Sequence, residues 1–127
     1  MPVRSSSSSV VRRPERAEVE AAARAFARAE AERRPELVRL GYFGSYARGD
    51  AGVGSDLDLV AVVESSGIPF ERRAANWDLA RLPVPAEVLV YTAAEWAAME
   101  TRGDRFARVL RTESVWLLDR RGDSPGR

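Results

Sequence analysis

The stretch Gly44-Ser45-Tyr46-Ala47-Arg48-Gly49-Asp50-Ala51-Gly52-Val53-Gly54-Ser55-Asp56-Leu57-Asp58-Leu59-Val60-Ala61-Val62-Val63 decides how this chain is read. Its second half runs into a buried strand that opens on two acids. Side chains two apart in a strand face one side, so Asp56 and Asp58 project together from the strand's start. Neighbouring carboxylates on an apolar strand repel each other and are expensive to bury, a cost that a divalent cation removes. The first half follows a strand read over residues 37–43 and turns at Gly44-Ser45 into a short helix. A glycine there lets the backbone approach a ligand closely, and free amides with the Ser45 hydroxyl make an anion site. Carboxylates for a cation beside amides for an anion are what a magnesium-nucleotide needs. Either half alone is weak evidence, but the two together, separated by residues 46 to 55, are specific.

Outward from this stretch the chain alternates helix and strand. Residues 1–13, with the run Ser5 to Ser9, read as a disordered Ser/Arg-rich tail. That start superficially resembles an organellar transit segment, but Glu15, Glu18 and Glu20 follow too soon. A helix is predicted from Pro14 to Arg34, with Val19, Ala22, Ala23, Phe26 and Ala29 as a thin apolar stripe and Pro35 as its stop. A second helix is predicted from Pro69 to Leu82, burying Phe70, Ala74, Trp77 and Leu82. Glu87 to Tyr91 reads as a strand, and Thr92 to Glu95 has the capping-box pattern for a following helix. Asp104 caps another helix to about Arg111, Val115 to Leu118 is a last short strand, and 120–127 reads as a flexible tail. The expectation is one α/β (α+β) domain over residues 14–119, with a small sheet of about four strands covered by helices.

Composition narrows the chemistry. The 127 residues are 45% apolar and 31% charged, enough for one compact core. All 20 basic residues are arginines against 19 acids, and Lys, His, Cys and Gln are absent. Disulfides, thiolate nucleophiles, Cys/His zinc sites, Ser-His-Asp triads, Schiff bases and a P-loop lysine are thereby excluded. Any metal must sit on carboxylates and be a hard ion, magnesium or manganese. The arginines suggest nucleic-acid binding, but a net charge of +1 and the amino-acid bias point instead to GC-rich codon usage. No apolar run is long enough to span a membrane.

On the residues quoted above, the chain resembles the DNA polymerase beta superfamily of nucleotidyltransferases, in particular its small bacterial minimal nucleotidyltransferases. Their pattern of Gly-Ser, ten residues and Asp-x-Asp is met by Gly44-Ser45, residues 46 to 55, and Asp56-Leu57-Asp58. Ala47-Arg48-Gly49 and Ser55 look like the family as well. The resemblance runs from about residue 20 to residue 119, with 83–96 like the family's third-acid strand and following helix. It implies a mixed sheet, with Gly44 and Ser45 holding the triphosphate and Asp56 and Asp58 binding two magnesium ions. The position matching the third acid is Glu87, one methylene longer than the usual Asp, and it would also serve as the base. The implied activity is transfer of AMP from ATP to an acceptor hydroxyl, in the bacterial cytoplasm. Small members of this type are often antitoxins that adenylylate a tyrosine of a helical HEPN-type toxin, which would be the partner here.

Other readings remain open at this point. Asp58 could pair with Arg48 as a structural acid; Arg48 could clamp phosphate by its fork or fix the Gly-rich loop. Glu87 could be a solvated strand-start residue, Ser55 and Asp50 read as loop caps, and Tyr46 could pack over a nucleotide. Trp77, Trp96 and Trp116 read as core. An aminoglycoside-type small-molecule acceptor would need extra binding structure, which a chain of this length supplies only as a homo-oligomer. A non-catalytic nucleotide-binding or toxin-neutralising module is the remaining class.

Overall fold

The computed structural model describes residues 14–52 and 54–121; the predicted N-terminal tail and residues 122–127 of the C-terminal one lie outside the described residues. Helix α1 (Arg16–Arg33) is built of Ala, Glu and Arg and starts where the Glu15 N–H donates to the Glu18 carboxylate at 2.8 Å. Pro14 precedes that cap rather than opening the helix. Strands β1 (Leu37–Phe43), β2 (Leu57–Val63), β3 (Ala86–Thr92) and β4 (Val115–Asp119) form one sheet in the order β3-β2-β1-β4. β1 is antiparallel to β2 and β4, and β2 is parallel to β3. The short α2 (Ser45–Arg48) follows β1, α3 (Phe70–Arg73) lies between β2 and β3, and α4 (Ala93–Thr101) and α5 (Arg105–Glu113) join β3 to β4. The expected mixed sheet with helical cover is present.

Strand alternation sorts the core to the two faces of the sheet. Leu57, Leu59, Ala61 and Val63 of β2 pack with Val19, Ala23 and Phe26 of α1. Val60 and Val62, between them, face the other way toward Trp96 and Met99 of α4 and Ala107 and Leu110 of α5. Phe26 and Val19 are essentially fully buried, worth about 1.5–3 kcal/mol each. The capping box predicted at Thr92 and Glu95 forms, with Glu95 N–H donating to Thr92 Oγ1 at 3.1 Å. Asp104 Oδ1 caps α5 by accepting from Phe106 and Ala107.

The helix expected from Pro69 to Leu82 is the main correction. The chain makes one turn of α3, then two short 3₁₀ turns at Ala74–Asn76 and Leu79–Arg81. Side-chain bonds from two arginines tie this segment to its neighbours. Arg73 donates to the carbonyls of Ile68 (2.7 Å) and Val90 (3.0 Å) and pairs with Glu95, while Arg34 reaches the Asn76 carbonyl at 2.7 Å. Trp77 is buried as expected, lying against Phe26 with the Arg34 guanidinium 4.1 Å above its ring. Phe70, expected in the core, is exposed and stacks on Tyr91.

Three further ionic details were not expected. Glu30, on the buried side of α1, has no solvent exposure and pairs with Arg34 at 2.6 Å and Arg33 at 3.2 Å. Arg39 is buried in β1 under the rings of Trp96 and Trp116, with Asp119 at 3.6 Å. Arg120, assigned to the polar tail, donates to the carbonyls of Ala31, Arg34, Pro35 and Leu37.

Two predictions concern the framework. Gly41 lies where the β1–β4 register shifts, and a Cβ there would come 2.5 Å from the Val115 carbonyl and 2.9 Å from the Trp116 ring. Gly41→Ala is expected to cost about 1–3 kcal/mol, read as a lower unfolding midpoint in denaturant at unchanged slope. The Glu95 carboxyl is held below its ordinary value, first by the Arg73 hydrogen bond and then by the Thr92 backbone, against the cost of burial. A lowered folded value means stabilisation that is complete above the unfolded value of about 4.3 and lost as pH falls through the folded one. Stability measured from pH 6 downward should therefore fall less steeply in Glu95→Gln than in the wild type.

Candidate active site

The motif residues meet at one end of the sheet, where β1 finishes and the parallel strands β2 and β3 begin. Asp58 stands in register with Phe43 of β1 on one side and with Glu87 of β3 on the other. Paired positions on neighbouring strands share a face, so Asp58 and Glu87 lie together on the side covered by α4 and α5. Asp56 is exposed, immediately before β2, and Asp58 is half-buried.

Gly44 has φ 78° and ψ −152°, a region open essentially only to glycine. A Cβ at this position would drive into Asp58 Oδ2. Only glycine therefore lets the β1 turn and the Asp58 carboxylate share this space. The chain then enters α2, so Ser45 stands at the opening of a helical turn as the sequence predicted. No hydrogen bond of the Ser45 hydroxyl is recorded among the described residues.

The neighbourhood is strongly negative. The Asp58 carboxyl is raised above its ordinary range, first by burial, then by the charges of Glu87 and Asp56 and further by Glu113; Arg48 opposes them in part. The structure brings Asp58 and Glu87 side by side and keeps Asp56 within electrostatic reach. Among the described residues, however, no three acids already form a group placed to hold a metal ion. Their chemistry is oxygen-only, the donor type of a hard cation.

Arg48 does not pair with Asp58. It meets Asp50 through Nε and Glu113 through a terminal nitrogen, each at 3.2 Å. Ser55 is the loop cap expected, its Oγ accepting from Gly52 N–H at 2.9 Å. Tyr46 is buried in the core on the α1 side, which removes it from any role over a nucleotide.

Glu113 was not anticipated. Its Oε1 accepts from the Gly44 N–H at 3.1 Å while Oε2 accepts from Arg48. The available signal was an acid in the last turn of a helix, where the macrodipole disfavours negative charge.

Residues 24–109, more than half of the chain, match the nucleotidyltransferase domain model. The chain belongs to this family of nucleotidyltransferase domains. No curated protein matches it in sequence. Among solved structures it is similar to a protein of Sulfolobus solfataricus provisionally described as a nucleotidyltransferase, at 19% identity and TM-score 0.60, covering 84% of this chain and 86% of that one. It also matches a chain from a toxin-antitoxin structure with AMP-PNP, at 16% identity and TM-score 0.43, covering 84% and 74%. No described helix is long and apolar enough to cross a membrane.

The raised Asp58 value sets the sign of a stability effect. An acid whose folded value is raised destabilises the native state at neutral pH, and protonation relieves it. In metal-free buffer Asp58→Asn should melt at a higher temperature than the wild type at pH 7, and the gap should close as pH falls through the folded value of Asp58.

Proposed function

We propose that the chain transfers AMP from ATP to an acceptor hydroxyl. The observation that carries this is the alignment of Asp58 with Glu87 on adjacent strands, against the Gly44-Ser45 turn, in a chain of the nucleotidyltransferase domain family. The acceptor oxygen attacks the α-phosphorus, its proton leaves to a base, and pyrophosphate departs. Gly44 and Ser45 hold the triphosphate, with the Ser45 hydroxyl and the first amides of α2 as donors. Arg48 adds positive charge beside them. Glu87 takes the acceptor proton. Asp56, Asp58 and Glu87 would hold magnesium, or manganese, which when bound offsets the negative charge of the acids and of the leaving pyrophosphate.

The preferred acceptor is a tyrosine hydroxyl on a helical HEPN-type toxin, which would make the chain an antitoxin that acts by adenylylation. The motif resemblance supports this part of the reading.

The test is incubation of the protein with labelled ATP, magnesium and the product of the neighbouring gene, followed by location of the label. Transfer to a tyrosine is expected, with a mass gain of one adenylyl group. Asp56→Ala and Asp58→Ala should each reduce it by at least about 10³-fold with the fold retained, the scale of loss when a preorganised electrostatic group is removed. Full transfer in either variant would overturn this site. Toxin neutralisation that persists in the Asp56/Asp58 double variant would show instead a partner that works by binding alone.

A further inference from the structure

Glu113 closes α5 at the end where helix carbonyls disfavour a negative charge, so the helix does not account for its presence. Its surroundings do. The antiparallel register of β1 with β4 sets Tyr42 opposite Val115, and two positions beyond the last pair Gly44 meets Glu113. There the Gly44 N–H donates to the Glu113 carboxylate instead of to a strand carbonyl. The second oxygen of the same carboxylate accepts from Arg48. One side chain thus holds the residue that precedes α2 and the residue that ends it. It is only 20% exposed, whereas the other acid on Arg48, Asp50, is 61% exposed. The contacts to Asp50 and Glu113 use Nε and one terminal nitrogen of Arg48, and no contact of the other terminal nitrogen is recorded among the described residues.

A carboxylate in this place repels a triphosphate directly, so any benefit to nucleotide binding must come through the groups it holds. We infer that Glu113 is a positioning residue for the nucleotide: it fixes the Gly44 peptide and aims the Arg48 fork so that Ser45 and Arg48 meet the phosphates together. This rests on the nucleotidyl-transfer reading above. As a positioning residue Glu113 touches neither metal nor substrate; its effect passes through Gly44 and Arg48.

The experiment is titration calorimetry with ATP and magnesium on wild type, Glu113→Ala, Arg48→Ala and the double variant, with hydrogen exchange at the Gly44 amide of nucleotide-free protein. Glu113→Ala should weaken ATP binding about tenfold, the scale of one charge-assisted hydrogen bond, and raise KM for ATP more than it lowers kcat. Its effect should shrink sharply in the Arg48→Ala background, because two residues acting as one unit are not additive. Gly44 exchange should quicken in Glu113→Ala and return toward wild type in Glu113→Gln, which retains one acceptor oxygen. ATP binding in Glu113→Ala as tight as wild type or tighter overturns the inference, as does full additivity with Arg48→Ala. Should Glu113→Ala not fold, the same comparison is made with Glu113→Gln, and wild-type affinity there overturns it. A wild-type chain that binds no ATP defeats the nucleotidyl-transfer reading and this inference with it; binding that persists unchanged in the variants defeats the inference alone.

Discussion

The carboxylate of Asp58 sits on an otherwise apolar strand, with Glu87 in register beside it, Asp56 two residues away and Glu113 across the turn. Folding gains nothing from such a cluster, since like charges in a partly buried setting oppose the native state. Much of the local architecture follows from keeping it there. β1 must end where Asp58 needs room, and the residue at that point can carry no side chain. The positive φ of Gly44 and the absent Cβ are two aspects of one steric requirement. The remaining β2 residues compensate by being apolar and buried on both faces, so the strand that bears the acid is otherwise wholly core.

Arginine is the second organising element, in a way that composition alone did not suggest. Every basic residue is Arg, and the positions of Arg34, Arg73 and Arg120 give that bias structural use. Each directs its guanidinium at main-chain carbonyls, of Asn76 for Arg34, of Ile68 and Val90 for Arg73, and of the α1–β1 junction for Arg120. Lysine, with one compact ammonium, could not reach several separated carbonyls in the same plane. Over the 3₁₀ turns from Ala74 to Arg81, Trp77 packs inward with Arg34 over its ring and bonded to the Asn76 carbonyl beside it.

Sequence reading recovered the four strands nearly residue for residue, because their apolar runs are short and bounded by turn residues or helix caps. The caps at Thr92 and Asp104 were legible because capping is local chemistry. The 69–82 segment was misread for the opposite reason. Its local propensity is helical, and what overrides it comes from α1, β3 and α4, elements distant along the chain. Within the site, Gly44, Ser45, Asp56 and Asp58 were legible from spacing, while Tyr46 was not, since the side of α2 facing the core depends on how α1 lies over the sheet. Glu113 was hidden because it reaches Gly44 across 69 positions of sequence. Only the β1–β4 register, set by Tyr42 and Val115, brings them together.

The bond from Arg73 to the Val90 carbonyl has a meaning outside the site. β3 is an outer strand of the sheet, and an outer strand offers a row of open backbone groups to any extended chain that approaches it. With Val90 already bonded to a charged fork that Glu95 tethers, an incoming strand would have to displace Arg73 before it could pair at that carbonyl. The same contact thus ties the 69–82 segment to this border of the sheet and occupies one of the acceptors through which another strand could add to it.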